Sequence, residues 1–194
     1  MLATFPWFAA DPHPGPGTDP ATSDTASTPA HLTDLLLQEQ DRLRRLIHRL
    51  LGYQHTAHEI DDLTQDVLLS AWQRHSTFRG ESTVSTWLTA IAIRRVHNHA
   101  RWARVRRNLT SWFATEEPAH HTPACPAEHT DEVTAMQRAM HTLRHQDREV
   151  LVLHYLEGRP LAEVAALLGL ARNAAEQRLS RARTRLRERL EARQ

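Results

Sequence analysis

The chain contains no lysine; all 24 of its basic residues are arginine. Every cation is therefore a planar, permanently charged fork suited to phosphate and base edges. Cys125 is the only cysteine, which excludes an intramolecular disulfide and fits a reducing compartment. No apolar run approaches the roughly 18–20 residues a bilayer span needs. No arginine precedes Arg42, so the start lacks the charged region of a signal peptide, and a cytoplasmic protein without membrane insertion is expected. Strand-like alternation is absent, which points to an all-α fold. Also missing are a phosphate-cradling glycine loop, a nucleophile motif and a pair of catalytic carboxylates in an apolar setting, so no enzyme and no cofactor is expected.

What is present is charge, sorted by position. Net charge is only +1 over 194 residues. Residues 1–30 carry three acids and no base, and residues 108–135 carry five acids and no base. By contrast, residues 91–107 carry six arginines and no acid, and residues 172–193 carry eight arginines against three glutamates. Two basic patches joined by an acidic connector predict two contacts with one polyanion.

Residues 1–30 are dense in Pro, Gly, Ser, Thr and Asp and read as a disordered tail. From Leu32 the apolar positions Leu35, Leu36, Leu43, Leu46, Ile47, Leu50 and Leu51 recur at helical steps and stop at Gly52, a C-cap. A second helix is predicted from about Glu59 to His75, with Leu63, Val67 and Trp72 holding the bundle and Asp61, Asp62 and Asp66 on the opposite side. A third begins near Ser82 or Thr83, buries Val84, Trp87, Leu88, Ile91 and Val96, and continues into the arginine run. Trp87, on that apolar stripe, is assigned to the core.

Residues 109–130 hold three prolines, clustered histidines and acids, and read as a linker that reaches at most about 75 Å. His120, His121, Cys125 and His129 are metal-capable residue types there, but Pro123 and Pro126 forbid a shared helix face and the chain has 14 histidines, so no metal site is expected. From Asp131 a second helical module follows. Within it, Leu161 to Ser180 has helix-turn-helix spacing: Ala165 permits close crossing, Gly169 permits the turn, and Leu170 is expected to be buried. The next helix would turn Arg172, Asn173, Glu176 and Gln177 toward base edges, with Arg178, Arg181, Arg183 and Arg185 toward phosphates.

HEIDDLTQDVLLSAW, TFRGESTVSTWLTAIAIRRVHNHAR, LRHQDREVLVLHYLEGRPLAEVAALLGL and QRLSRARTRLRERL, in that order, resemble the extracytoplasmic-function (ECF) branch of the RNA polymerase sigma factors. The resemblance implies two small helical domains on a flexible linker: a region 2 domain at 31–108 and a region 4 helix-turn-helix domain at 131–194. It implies a transcription initiation factor that binds core RNA polymerase, by its beta-prime coiled coil and beta flap, and promoter DNA; an anti-sigma factor is a further implied partner. Carried onto this sequence, Asp61, Asp62, Gln65, Asp66 and Leu69 would dock the polymerase. Phe78, Arg79, Gly80 and Glu81 would form the pocket for an extruded minus-ten base, followed by Ile91, Arg94, Arg95, Asn98 and Arg101 on the same element. Arg104, Arg106 and Arg107 would extend that surface. Arg172, Asn173, Glu176, Gln177, Arg178, Arg181 and Arg183 would read minus-thirty-five. The family often has Asn at the place of Arg94, and a Ser or Thr helix start where this chain has Ala171. The alternative is a helix-turn-helix regulator acting on duplex DNA without polymerase.

Overall fold

The computed structural model describes residues 29–52, 55–78, 80–110 and 131–192; the side chains of 29–32, 77, 104, 106–110, 131 and 132 are not described. Among the described residues there are seven α-helices and no strand. The first group is α1 (Pro29–Leu51), α2 (Ala57–Gln73) and α3 (Val84–Thr110), with a single 3₁₀ turn at His75–Thr77. The second is α4 (Asp131–Thr142), α5 (His145–Leu151), α6 (Leu161–Leu167) and α7 (Arg172–Glu191), with a π-helical turn at Val152–Leu156 continuing α5. The expected tail and linker fall almost wholly outside the described residues.

Local chemistry explains the boundaries. α1 ends where Gly52 takes φ +89° and its N–H returns to the His48 carbonyl at 3.0 Å, the left-handed stop that glycine permits. α2 opens on a capping box, in which the Thr56 hydroxyl accepts from the Glu59 N–H and the Glu59 carboxylate accepts from the Thr56 N–H. α6 closes in a Schellman motif: the Gly169 N–H bonds to Ala166 O at 3.2 Å and the Leu170 N–H to Ala165 O at 2.8 Å, with Gly169 at φ +64°. Leu170, expected inside, is only half buried, because this motif turns it across the helix end.

α7 starts without a side-chain cap. Ala171 has the extended backbone of an N-cap, φ −66° and ψ 148°, but no oxygen to offer the first N–H groups. Ala171→Ser is therefore expected to stabilise the protein by about 0.5–2 kcal/mol, seen as a higher urea midpoint at unchanged slope; no rise would mean that water or another group already satisfies those donors.

In the first group Leu43, Leu46, Ile47 and Leu50 of α1, Ile60, Leu63, Val67 and Ala71 of α2 and Leu88, Ala92, Ile93 and Val96 of α3 are buried. In the second, Met140, Leu143, Val150, Leu151, Val152, Leu153, Val164, Leu167, Leu179 and Ala182 are buried. These two sets form one continuous apolar cluster. The two groups are therefore packed against each other: α1 packs on α5 and the π turn, and α3 packs on α6.

Polar groups line that junction. Arg42 and Arg49 of α1 reach Glu157 at 2.8 and 3.4 Å. Arg159 donates to Thr86 and Thr89 of α3, both at 2.9 Å, and pairs with Glu163, which also accepts from Thr86. Arg148, buried, donates to the last carbonyls of α1, Leu50 O at 3.0 Å and Leu51 O at 3.1 Å. His48 and His55 are held below the ordinary imidazole value, chiefly by burial. A histidine with a depressed folded pKa stabilises the fold above its unfolded value, near 6.5, and withdraws that support as pH falls. His55→Gln is accordingly expected to flatten the fall of the melting temperature between about pH 7 and about pH 5; an unchanged slope would show that His55 does not contribute.

Candidate polymerase and nucleic-acid interface

α2 turns two different faces outward and inward. Leu63 and Val67 are buried as expected, but Trp72 is 41% exposed and lies against His75, ring centroids 5.8 Å apart, rather than in the bundle. The reason is register: Trp72 sits one turn beyond Leu69, which is itself 54% exposed, at the edge of the apolar stripe. Asp62, Gln65, Asp66, Leu69 and Trp72 therefore share one exposed face at three- and four-residue steps, an acidic strip ending in two large apolar side chains. Asp61 stands beside it and is engaged by Arg44 at 2.6 Å. That pairing, led by the hydrogen bond to Asp61, raises the Arg44 pKa.

The loop before α3 is anchored at one end. Phe78 is half buried with its ring centroid 5.1 Å from Trp87. Trp87 in turn packs against the apolar cluster, as assigned. Gly80, at φ +71°, and Glu81 are exposed; Arg79 lies outside the described residues. Along α3, Arg94, Asn98 and Arg101 are exposed on one side. The other two expected contacts are less open. Ile91 leans on the apolar cluster, and Arg95 donates to the Ser70 hydroxyl from Nε at 3.1 Å, tying α3 to α2. The side chains of Arg104, Arg106 and Arg107 are not described. Trp102 is 60% exposed beside Arg101.

α7 buries Ala175, Leu179 and Ala182 and so presents the opposite face to solvent. Arg172, Asn173, Glu176, Gln177, Arg181 and Arg183 are exposed there and Arg178 is half buried. Arg172 meets Glu176 at 3.1 Å within the helix. Arg185, expected as a phosphate contact, is committed elsewhere: it pairs with the buried Asp147 at 2.5 Å. Sequence periodicity cannot separate one arginine of this run from the next; the partner 38 residues away decides.

The family comparisons fall on these same elements. The model of "Sigma-70 region 2" matches residues 35–106 and that of "Sigma-70, region 4" matches residues 134–186. The ECF RNA polymerase sigma factor SigM of Mycobacterium tuberculosis is 32% identical over 146 residues, 75% of this chain and 71% of that protein. The chain belongs to the ECF sigma factors. The sigma factor CnrH of Cupriavidus metallidurans is 30% identical over 142 residues, 66% of this chain and 71% of that protein. The chain spans only 34% of the longer probable sigma factor RfaY of Xanthomonas campestris, which it matches at 32% identity over 136 residues. Among solved structures, the sigma factor RpoE of Bartonella quintana in complex with the anti-sigma factor NepR superimposes with a TM-score of 0.68 at 25% identity, covering 82% of this chain and 96% of that one. As a member of this family the ECF chain is an RNA polymerase sigma factor for promoter-directed transcription initiation.

Proposed function

We propose that this ECF sigma factor docks core RNA polymerase through Asp61, Asp62, Gln65, Asp66 and Leu69 and reads promoters with α3 and α7. The observation that carries the reading is the face of α2: an acidic strip flanked by exposed Leu69 and Trp72 suits a basic partner helix with an apolar seam. It would have no use in a regulator that binds duplex DNA alone. By the family resemblance the partner surface is the beta-prime coiled coil, and the second module meets the beta flap.

Phe78, Gly80 and Glu81, with Arg79, form the strand-capturing loop at minus-ten. Holding one strand unpaired takes a pocket for an extruded base and cationic grip on its backbone. Arg94, Asn98 and Arg101 supply that grip at the adjoining duplex; Arg95 and Ile91 support the surface from its inner edge. Arg172, Asn173, Glu176 and Gln177 face the minus-thirty-five bases from the N-terminal end of α7, and Arg178, Arg181 and Arg183 face phosphates. In this reading residues 31–108 are the region 2 domain, 131–194 the region 4 domain, 109–130 the linker and 1–30 a tail. The protein works in the cytoplasm, where its polymerase is, and contributes binding rather than chemistry. An anti-sigma partner fits the same surfaces, since covering them would silence the protein.

The test is run-off transcription with core polymerase, with and without this chain, on a library of GC-rich promoter fragments. Discrete start sites that depend on the chain support the reading. Sequence-specific duplex binding with no transcript from any fragment would move the assignment to a polymerase-independent regulator.

A further inference from the structure

Three ligand-type side chains from the two helical groups meet at one point of their junction. His97 projects from α3, and His145 and Glu149 stand one turn apart on α5. One ring nitrogen of each imidazole and one Glu149 carboxylate oxygen all lie within 4.8 Å of one another. Both nitrogens aim at the same oxygen: His97 Nε2 is hydrogen-bonded to Glu149 Oε1, and His145 Nε2 lies 3.2 Å from it. The rings stand edge to face with centroids 5.2 Å apart, so neither blocks the other's approach.

A plain hydrogen-bond account leaves this cluster incomplete. His145 Nε2 is buried and, though 3.2 Å from the carboxylate, lacks the geometry of a hydrogen bond. The oxygen it faces is already hydrogen-bonded to His97. Glu149 is itself 97% buried, its side chain only 3% exposed. The carboxylate thus sits in a dry place, facing two nitrogens.

We infer that His97, His145 and Glu149 form a binding site for a zinc-class divalent ion that clasps α3 to α5. Two imidazoles and a carboxylate are a borderline donor set that suits zinc and its neighbours rather than magnesium or calcium, which take oxygen. Around a tetrahedral zinc with bonds near 2.0–2.1 Å, donor atoms stand about 3.3 Å apart; the His145 to Glu149 separation already matches that edge. His97 is the closer donor, and with its side chain 46% exposed it has room to move outward by the difference. That exposed side also gives the ion an entry path and a fourth position for water. Because His97 belongs to the first helical group and the other two ligands to the second, a bound ion holds the groups together. The site owes nothing to the function proposed above and stands or fails separately.

The probe is Co²⁺ titrated into the full chain, then displaced by Zn²⁺. The expected result is one equivalent of tetrahedral cobalt, seen by its visible d–d bands, without the near-ultraviolet charge-transfer band of a thiolate ligand. His97→Ala and His145→Ala should each weaken binding at least about tenfold, the loss typical even of outer-shell changes at metal sites. Both side chains are partly exposed, so these variants should keep their helical circular dichroism. A fourfold linker variant, His120→Ala, His121→Ala, Cys125→Ser and His129→Ala, should bind as the parent does. Zn²⁺ should also raise the melting temperature of the parent and the linker variant but not of His97→Ala, since binding only the folded state stabilises it. Absence of tetrahedral cobalt, binding that survives both single histidine changes, or binding lost only with the linker variant would overturn the assignment.

Discussion

Asp62→Arg together with Asp66→Arg is expected to weaken binding to core RNA polymerase by at least about 100-fold, some 3 kcal/mol, and to abolish run-off transcription. Both carboxylates are exposed, one turn apart on the outer face of α2, so their removal opens no cavity and strands no buried group. Asp61 is left in place because Arg44 holds it at 2.6 Å, whereas Asp62 faces only the exposed imidazole of His58 at 3.5 Å, a pair whose loss costs little. A basic partner surface would meet two repelling charges where it met two attracting ones, and like charges set face to face cost several kcal/mol. The readouts are titration of labelled chain with core polymerase and transcript yield, with circular dichroism to confirm that α2 still forms. Unchanged affinity in a folded variant would remove the acidic strip from the docking surface. Leu69→Ala should act in the same direction with a smaller effect, as the apolar end of the same face.

Much of this was legible from spacing alone. Apolar residues at three- and four-residue steps placed α1, α2 and α3, and Gly52 and Gly169 marked the ends of α1 and α6 because each takes a left-handed backbone. The exposed faces of α2 and α7 follow from the same periodicity. Trp72 marks the limit of that argument: it lies between the rows led by Leu68 and Leu69, and whether such an edge position is covered depends on what packs beside it. Leu156 is a similar case, an apolar residue left 47% exposed where the π turn Val152–Leu156 shifts the register past the buried Leu153.

The junction between the two helical groups was invisible for a different reason. In HQDREVL the pattern is that of a solvated first turn, yet Asp147, Arg148 and Glu149 are all buried. Their partners are Arg185 of α7, the end of α1 and His97 of α3, separated from them by 38, about 98 and 52 positions. Local spacing carries no information about pairings over such distances. A charged run inside an amphipathic helix reads as solvated unless a partner is already known, and here three different elements supply the partners.

Arg148→Ala should be the most damaging single change at that junction. The guanidinium donates to four carbonyls: Leu50 and Leu51 at the end of α1, His141 at 3.2 Å and Leu143 at 3.3 Å. The last carbonyls of a helix have no partner within it and carry its partial negative charge, so a buried cation there answers both needs at once. Alanine would leave several of these oxygens dry and unpaired, a cost of about 3 kcal/mol given 1.5–3 for a hydrogen bond to a charged group. For a chain of this size that lowers the melting temperature by roughly 6–12 °C. Lysine should recover only part of the loss, because a point charge cannot span four acceptors as the planar fork does. Gly52→Ala should act in the same direction, since a Cβ there would stand 2.7 Å from the Arg148 Cζ on a backbone at φ +89°. Because Arg148 joins the groups, its loss should also split unfolding into two transitions, read by calorimetry at fixed pH. A single transition at the parent's temperature would show that the apolar cluster alone couples the halves and that the arginine is an accessory to it.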